Sequence, residues 1–286
     1  MSKIKKILTA LFALLVLIGG YLFYSIEIYP QPYVKFSAPE TMAFKPMNSL
    51  CLQNPQPTPM TRDKLRILVW NIHKGKDKGW QQVLKTFTPD TDLWLLQEVT
   101  DKQNLATDFS AEFPTALYTA AFAYLNERSG VKILARDMPD LYCASMEQEP
   151  WIIIPKVASA VRFFRENAQP LLVINLHLVN FELNPTNYRK QITTMMDLIS
   201  RHQGPIILAG DFNTWNSGRL ALIDQLAQQA GLQEIRFTPD HRMRFLDNPL
   251  DHIFVRGFKI NRALTMETDA SDHNPLWVEL EFDITQ

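Results

Sequence analysis

The stretch Ile206-Ile207-Leu208-Ala209-Gly210-Asp211-Phe212-Asn213 decides how this chain is read. It is a buried β-strand that stops being apolar at its carboxyl end and presents an aspartate and an asparagine. Successive side chains on a strand point to opposite faces, so Asp211 and Asn213 are expected to point the same way. Loops at the carboxyl ends of strands are where ligands sit in α/β sheets. A carboxylate beside a carboxamide can order a water, a metal ion or a phosphoryl oxygen. The bland reading is an Asx-turn that caps the strand. What else the chain places at strand ends decides between them.

The chain has 286 residues, 46% of them hydrophobic, with 29 basic and 30 acidic side chains. That is globular composition, long enough for one large domain or two small ones. A formal charge of −1 lacks the basic footprint of strong non-specific nucleic-acid binders. Nucleic acid stays open as a substrate.

The amino terminus departs from this pattern. Ile7 to Ile26 carries no charge and as a helix spans about 30 Å, the hydrocarbon thickness of a bilayer. Lys3, Lys5 and Lys6 precede it and Glu27 follows. The positive-inside rule then predicts a single-pass helix with its start in the cytosol and the bulk of the chain outside a bacterial inner membrane. A cleaved signal peptide is the rival, but no small-x-small cleavage site follows the apolar run. A true start at Met42, Met47 or Met60 would remove the anchor and leave a cytoplasmic protein. Seven of the 18 prolines fall between Pro30 and Pro59, a density that predicts an irregular tether. The expected organisation is a tip and signal-anchor helix over 1–29, a tether over 30–62 and one catalytic domain over 63–286. Cys51 and Cys143 can pair outside the membrane, although nothing in the sequence says whether they meet.

Within the domain, strand-length apolar runs alternate with helical stretches. Strands are predicted at 65–72, 93–99, 130–135, 158–164, 171–178, 206–212, 251–255 and 276–282. Helices are predicted at 80–87, around 105–113, at 187–201 and at 217–230, the last with Ser217 as N-cap and Gly231 as its stop. Eight strands and four helices are too sheet-rich for a simple doubly wound fold. Two packed sheets with helices outside account for them.

Polar residues recur where these strands end. Asn71 leads into His73 and Lys74, Gln97 precedes Glu98, and Asn175 precedes His177. Asp211 and Asn213 follow, then Asp251 with His252, then Asp272 with His273. Any one of these can be a strand cap or a structural histidine. Six such sites, nearly all Asn, Asp, Glu or His, are the residue types that bind a hard cation and move protons.

The ordered set Trp-Asn-Ile (70–72), Leu-Gln-Glu (96–98), Asn-Leu-His (175–177), Gly-Asp-Phe-Asn (210–213), Leu-Asp-His (250–252) and Ser-Asp-His-Asn-Pro (271–275) resembles the endonuclease/exonuclease/phosphatase superfamily, which includes DNase I-like nucleases, neutral sphingomyelinases and inositol polyphosphate phosphatases. The resemblance covers residues 65–282, and it is close to a bacterial subgroup sharing Leu-Val-Trp-Asn-Ile and Ala-Gly-Asp-Phe-Asn. It implies a four-layer α/β sandwich of two packed mixed sheets flanked by helices. It also implies a Mg²⁺- or Mn²⁺-dependent phosphoric ester hydrolase. Glu98 matches the family's principal metal carboxylate, Asn71 the amide beside it, and Asp272 a support for the metal shell. Asp211 matches the residue that positions the attacking water, Asn213 the one that holds a phosphoryl oxygen. His273 matches the catalytic histidine, oriented by Asp251, as base or as electrostatic clamp. His177 matches a second histidine, a phosphate donor or general acid.

Weaker expectations attach to the neighbours. Asn175, His73, Lys74 and Arg219 are candidate substrate contacts, and a solvent-facing Arg219 in the first turn of a helix is the alternative. His252 should point to the opposite face and be structural. Residues 240–244 read as a basic substrate lip or as a solvated turn. The expected partners are a phosphate-ester substrate (nucleic acid, lipid headgroup or small molecule) and the membrane through residues 7–26, with a monomeric catalytic domain. A catalytically silent scaffold with the same fold is the other class of function, and no acidic position of the pattern is lost to favour it.

Overall fold

The run Ile206-Ile207-Leu208-Ala209 is apolar throughout because its strand is covered on both faces. The computed structural model describes residues 3–37, 45–182 and 184–283. In chain order it contains helix α1 (Lys3–Ser25), strands β1 (Ile26–Ser37), β2 (Cys51–Gln53) and β3 (Lys64–Asn71), and helix α2 (Trp80–Phe87). Strand β4 (Leu93–Thr100) and a single turn α3 (Leu105–Asp108) follow. Next come strands β5 (Thr115–Tyr124), β6 (Glu127–Ala135), β7 (Leu141–Gln148), β8 (Pro155–Phe163) and β9 (Leu171–His177). The chain continues through helix α4 (Thr186–Ser200), strand β10 (Ile206–Asp211), helix α5 (Ser217–Gln229) and strands β11 (Asp251–Arg256), β12 (Phe258–Thr265) and β13 (Leu276–Phe282).

Sheet one runs β12–β13–β3–β4–β6–β5–β1, with the pair Lys45–Pro46 at its edge, and sheet two runs β11–β10–β9–β8–β7–β2, with Gln233–Glu234 beyond β11. Both are mixed: β3 pairs parallel with β4 and β9 parallel with β10. Between the sheets lies a core that joins Ile67 and Leu95 to Val173 and Ile207. Alternate residues of the same strands face outward. Leu176 and Leu208 pack under Ile192 of α4 and Ile223 of α5. On the other side Leu68 and Trp94 pack with Leu84 of α2 and with Phe109 and Phe113. Helix, sheet, sheet, helix makes the predicted four-layer sandwich. Each fully buried Leu, Ile or Phe stabilises it by roughly 1.5–3 kcal/mol.

Helix α1 stands outside the sandwich. It has 23 residues, a mean hydropathy of 2.3 over its most apolar window, and no buried residue in that window. Such a helix suits a membrane anchor or a signal sequence.

Several elements differ from the sequence reading. The tether expected to be irregular begins as β1, which pairs antiparallel with β5 and buries Val34 and Phe36 in the inter-sheet core. Pro30 and Pro32 are tolerated because the register breaks between Ile28 and Tyr33, where ladder donors are not required. A chain beginning at Met47 or Met60 would lack this strand. Residues 38–44, with Pro39 and Met42, and residues 284–286 lie outside the described residues. Strands β5, β7 and β12 were not expected: in Thr-Ala-Leu-Tyr-Thr-Ala-Ala the alanines dilute the strand-favouring Thr and Tyr, and β12 is a half-exposed edge. The helix expected over 105–113 is one turn, after which Phe109 and Phe113 fold onto Trp94. The N-cap of α5 is Asn216, whose side chain accepts from the Arg219 amide at 2.9 Å, not Ser217. Cys51 and Cys143 are register partners on β2 and β7 and form a disulfide.

Candidate active site

Three adjacent strands of sheet two end on one row. His177 of β9 is the register partner of Asp211 on β10, and Asp211 is the partner of Asp251 on β11. Paired residues project to the same face, so a histidine and two carboxylates stand side by side at the carboxyl end of β10. Gly210 makes the approach possible: at φ +137° a Cβ there would lie 2.0 Å from the Leu176 carbonyl oxygen. Asp211 uses its two oxygens differently. Oδ1 accepts from the Asn213 amide at 2.9 Å, closing an Asx-turn. Oδ2 faces the cleft, 3.4 Å from His177 Nε2 and 3.8 Å from His273 Nε2, and accepts from Asn71 Nδ2 at 3.1 Å. The Asx-turn is therefore made by Oδ1 alone, and Oδ2 is left facing the cleft. Asn213 is held at φ +49° and donates its side-chain amide to the Leu178 carbonyl.

His273 arrives from the loop before β13. That loop is pinned to the end of β3: Ser271 Oγ donates to the Asn71 carbonyl at 2.7 Å, and Trp70 Nε1 donates to the His273 carbonyl at 2.8 Å. His273 Nδ1 lies 2.7 Å from Asp251 Oδ2. Burial disfavours its charge, but Asp251 and Asp211 outweigh burial and raise its pKa to about 10. The ring is an imidazolium at neutral pH. His177 is the reverse: burial first, then the Lys156 ammonium 3.0 Å from Nε2, lower its pKa to about 4. It is neutral.

Sheet one supplies the other half. Regular alternation would send Gln97 and Glu98 to opposite faces, and a register irregularity between Leu96 and Val99 makes the turn. Gln97 stays between the sheets, bonded to Asn175, while Glu98, at φ +52°, is aimed into the cleft. Burial would raise the Glu98 carboxyl, yet His177 in the protonated form it takes at acid pH, Lys156 and Lys74 hold it well below the usual carboxylate range. Lys74 Nζ sits 3.0 Å from Glu98 Oε2. His73 Nδ1 is 2.7 Å from Asp77, and its Nε2 is 3.8 Å from the half-exposed Asp272. Asn71, His73, Lys74, Glu98, Lys156, His177, Asp211, Asn213, Asp272 and His273 line one cleft of about 830 Å³.

The donor set fits a hard divalent cation. Asp211, Asp251 and His273 bring ligand atoms within 4.8 Å of one another, but His273 is already committed to Asp251 and carries a positive charge. Glu98 is the better seat. It is an ionised carboxylate with a cationic ammonium already against it, and the neighbouring Asn71 offers an amide oxygen, a hard donor.

Two predicted contacts lie elsewhere. Asn175 is fully buried, with its amide spent on Gln97 and on the Leu96 and Lys132 carbonyls. Arg219 is neither solvent-facing nor a phosphate contact. Its guanidinium donates to the carbonyls of Val179, Asn180, Glu182 and Asn213, knitting together the loop beyond β9. His252 faces away from the cleft, between Thr214 and Glu234, as expected. Arg242 is not a substrate lip: it pairs with Asp240 and Glu234. Sequence reading missed Lys156, the second residue of β8. A lysine near the start of a strand carries no signal until β8 is laid beside β9.

The profile of the Endonuclease/Exonuclease/phosphatase family matches residues 68–273. A UPF0294 protein of Vibrio cholerae serotype O1 is 39% identical over 235 residues, 80% of this chain and 82% of its own length. One from Yersinia pestis is 42% identical over 226 residues, 79% of this chain and 86% of that protein. Among solved structures, an endonuclease/exonuclease/phosphatase family protein from Leptotrichia buccalis aligns with a TM-score of 0.60 at 17% identity, covering 76% of this chain and all of that one. ANGEL2, a 2′,3′-cyclic phosphatase, aligns at 0.61 and 14% identity over 77% of this chain and 96% of its own. With the motif residues gathered at the ends of the two sheets as described, the chain belongs to the endonuclease/exonuclease/phosphatase family.

Proposed function

We propose that this protein is a divalent-metal-dependent phosphoesterase, anchored to the membrane by α1, that hydrolyses a phosphodiester or phosphomonoester by attack of an activated water. The observation that carries this is the convergence on Asp211 Oδ2 of Asn71, His177 and His273 from three different elements. Glu98 and Asn71, with Asp272 nearby, would hold Mg²⁺ or Mn²⁺. Bound there, the cation neutralises phosphate charge and stabilises the leaving oxygen. Asp211 orients the water, since it is the buried carboxylate oxygen that faces the cleft among fixed donors. Asn213 offers its amide to a phosphoryl oxygen. His273 acts as a charged clamp on the phosphoryl group and not as a base, because Asp251 and Asp211 keep its proton in place. Neutral His177, with Lys156 behind it, contributes hydrogen bonding without a second fixed charge. The disulfide supports placing the domain on the oxidising side of the membrane.

Hydrolysis of bis-p-nitrophenyl phosphate with Mg²⁺ or Mn²⁺ tests this. Asp211→Ala and His273→Ala should each lower kcat/KM by about 10²–10⁴-fold. Turnover indifferent to both substitutions, or none in the wild type, would leave the fold as a scaffold.

A further inference from the structure

No linker separates the apolar helix from the catalytic sandwich. Ser25 ends α1 and Ile26 begins β1. The junction is also tied sideways to the turn between β5 and β6: the Leu125 amide donates to the Ser25 carbonyl at 2.7 Å, Ile26 is the register partner of Tyr124, and the Tyr21 and Tyr124 hydroxyls lie 2.7 Å apart. Tyr124 lines the candidate active cleft. Tyr21, Phe23 and Tyr24 form an exposed aromatic set on the last turn of α1, where amphipathic rings mark the interface between hydrocarbon and water. The cleft rim therefore stands at the level of the bilayer surface.

The rest of the rim matches that level. Ile152, Phe181 and Met243 line the same cleft while remaining 39–50% exposed. Leu125, next in sequence to Tyr124, and Trp151, next to Ile152, are more exposed still. Apolar side chains gathered at one mouth in this way mark a contact surface and not scattered exposure. Within the cleft, the partly buried Lys74 and Lys156 supply positive charge beside Glu98 and His177. An apolar lip above two partly buried ammonium groups is the order of a bilayer's own layers as a headgroup phosphate meets them.

The geometry points to a cleft that opens onto the membrane holding α1 and takes a phosphodiester of a lipid headgroup as its substrate. This rests on the phosphoesterase reading above. The water oxygen bonds to the headgroup phosphorus, the P–O bond to one esterified alcohol breaks, and that alcohol leaves with a proton from the water.

The test uses the full chain, disulfide intact, in vesicles of phosphatidylcholine and phosphatidylglycerol with Mn²⁺, with bis-p-nitrophenyl phosphate or a single-stranded oligonucleotide supplied in solution. The wild type should hydrolyse vesicle lipid. The double variant Leu125→Glu/Trp151→Glu should lose about 10-fold or more of that rate, the equivalent of two lost apolar contacts, while its rate on bis-p-nitrophenyl phosphate stays within about twofold of wild type. Fluorescence quenching by lipids brominated near the headgroup should fall in Trp151→Phe. Hydrolysis of bis-p-nitrophenyl phosphate or oligonucleotide with lipid untouched overturns the lipid substrate and leaves the phosphoesterase. No hydrolysis of anything overturns both. Lipid turnover that ignores the double variant, with no quenching from Trp151, overturns the membrane-facing rim.

Discussion

His177, Asp211 and Asp251 at the ends of sheet two, with His273 packed onto them from the loop before β13, are all less than a tenth exposed and each lies within 4 Å of another of the set. Beside them Glu98, Lys74, His73 and Asp272 have side chains 17–52% exposed, with Lys74 ion-paired to Glu98 and His73 3.8 Å from Asp272 at the solvent boundary. His73, Lys74 and Glu98 all sit at positive φ, a backbone state that costs of order 1–3 kcal/mol per residue and persists only where the surroundings impose it. One half is a preorganised hydrogen-bond network. The other is a strained, partly open anionic seat shared with the Lys74 ammonium. Proton and charge positions are fixed where burial is deepest, and solvent reaches the side where the carboxylates are more exposed.

Glu98→Gln should give the largest separation between the halves. It removes the ionised carboxylate and leaves Lys74 and Lys156 unbalanced, so divalent binding measured by calorimetry should weaken by about 10–100-fold. The His273–Asp251 pair should survive, and its imidazole resonances should keep their positions. If those resonances shift as far as they do in Asp251→Asn, the two halves are one network and the contrast is false.

The two histidines should pull stability in opposite directions with pH in the metal-free protein. His273 has a folded pKa of about 10 against an unfolded value of about 6.5. Its contribution is complete below about 6.5 and is lost as pH rises through about 10, because the folded state binds the extra proton in that window. His177 has a folded pKa of about 4, so the unfolded chain binds the extra proton between that value and about 6.5, and stability is lost on acidification. Each slope approaches about 1.4 kcal/mol per pH unit. Urea titrations should find the alkaline slope flattened in His273→Gln and the acid slope flattened in His177→Gln. An alkaline slope unchanged in His273→Gln would mean that the ring is not held charged.

Lys74→Met is the smaller test of the open half. With its ammonium gone from Glu98, a divalent ion should bind about 3–10-fold more tightly, the scale of a partly exposed ion pair. Weaker binding would make Lys74 a helper of the site and not a competitor for it.

The contrast also explains what the sequence let a reader see. The buried half was legible because its residues are short-spaced polar breaks at the ends of apolar strands, and a strand's period fixes which of them share a face. Gly-Asp-Phe-Asn and Ser-Asp-His-Asn-Pro announce themselves in this way. The fold was legible for the same reason, from eight apolar runs with too few helices to cover them singly. Lys156 was not legible, because its contact with His177 depends on two antiparallel strands meeting in register. Nor was β1, whose prolines read as breakers until the bulge between Ile28 and Tyr33 places them where no ladder donor is needed. Arg219 was misread for a related reason: in the first turn of an exposed helix, nothing local says that the side chain will turn inward.

Arg219 then provides the test with the smallest kinetic effect. Its planar guanidinium reaches four carbonyls and lies over the rings of Tyr188 and Trp215. A lysine ammonium cannot reproduce that fork. Arg219→Lys should therefore destabilise the protein by about 1–3 kcal/mol in urea, as buried carbonyls lose donors. At temperatures where it remains folded, its KM for bis-p-nitrophenyl phosphate should stay within about twofold of wild type, since no guanidinium nitrogen faces the cleft. The two readouts separate the roles. A phosphate contact would raise KM with little change in stability, whereas a brace for the loop carrying Asn180 and Phe181 lowers stability first. If KM rises tenfold while the urea midpoint stays put, Arg219 belongs to the open half of the site after all, and the boundary drawn between the two halves has to move.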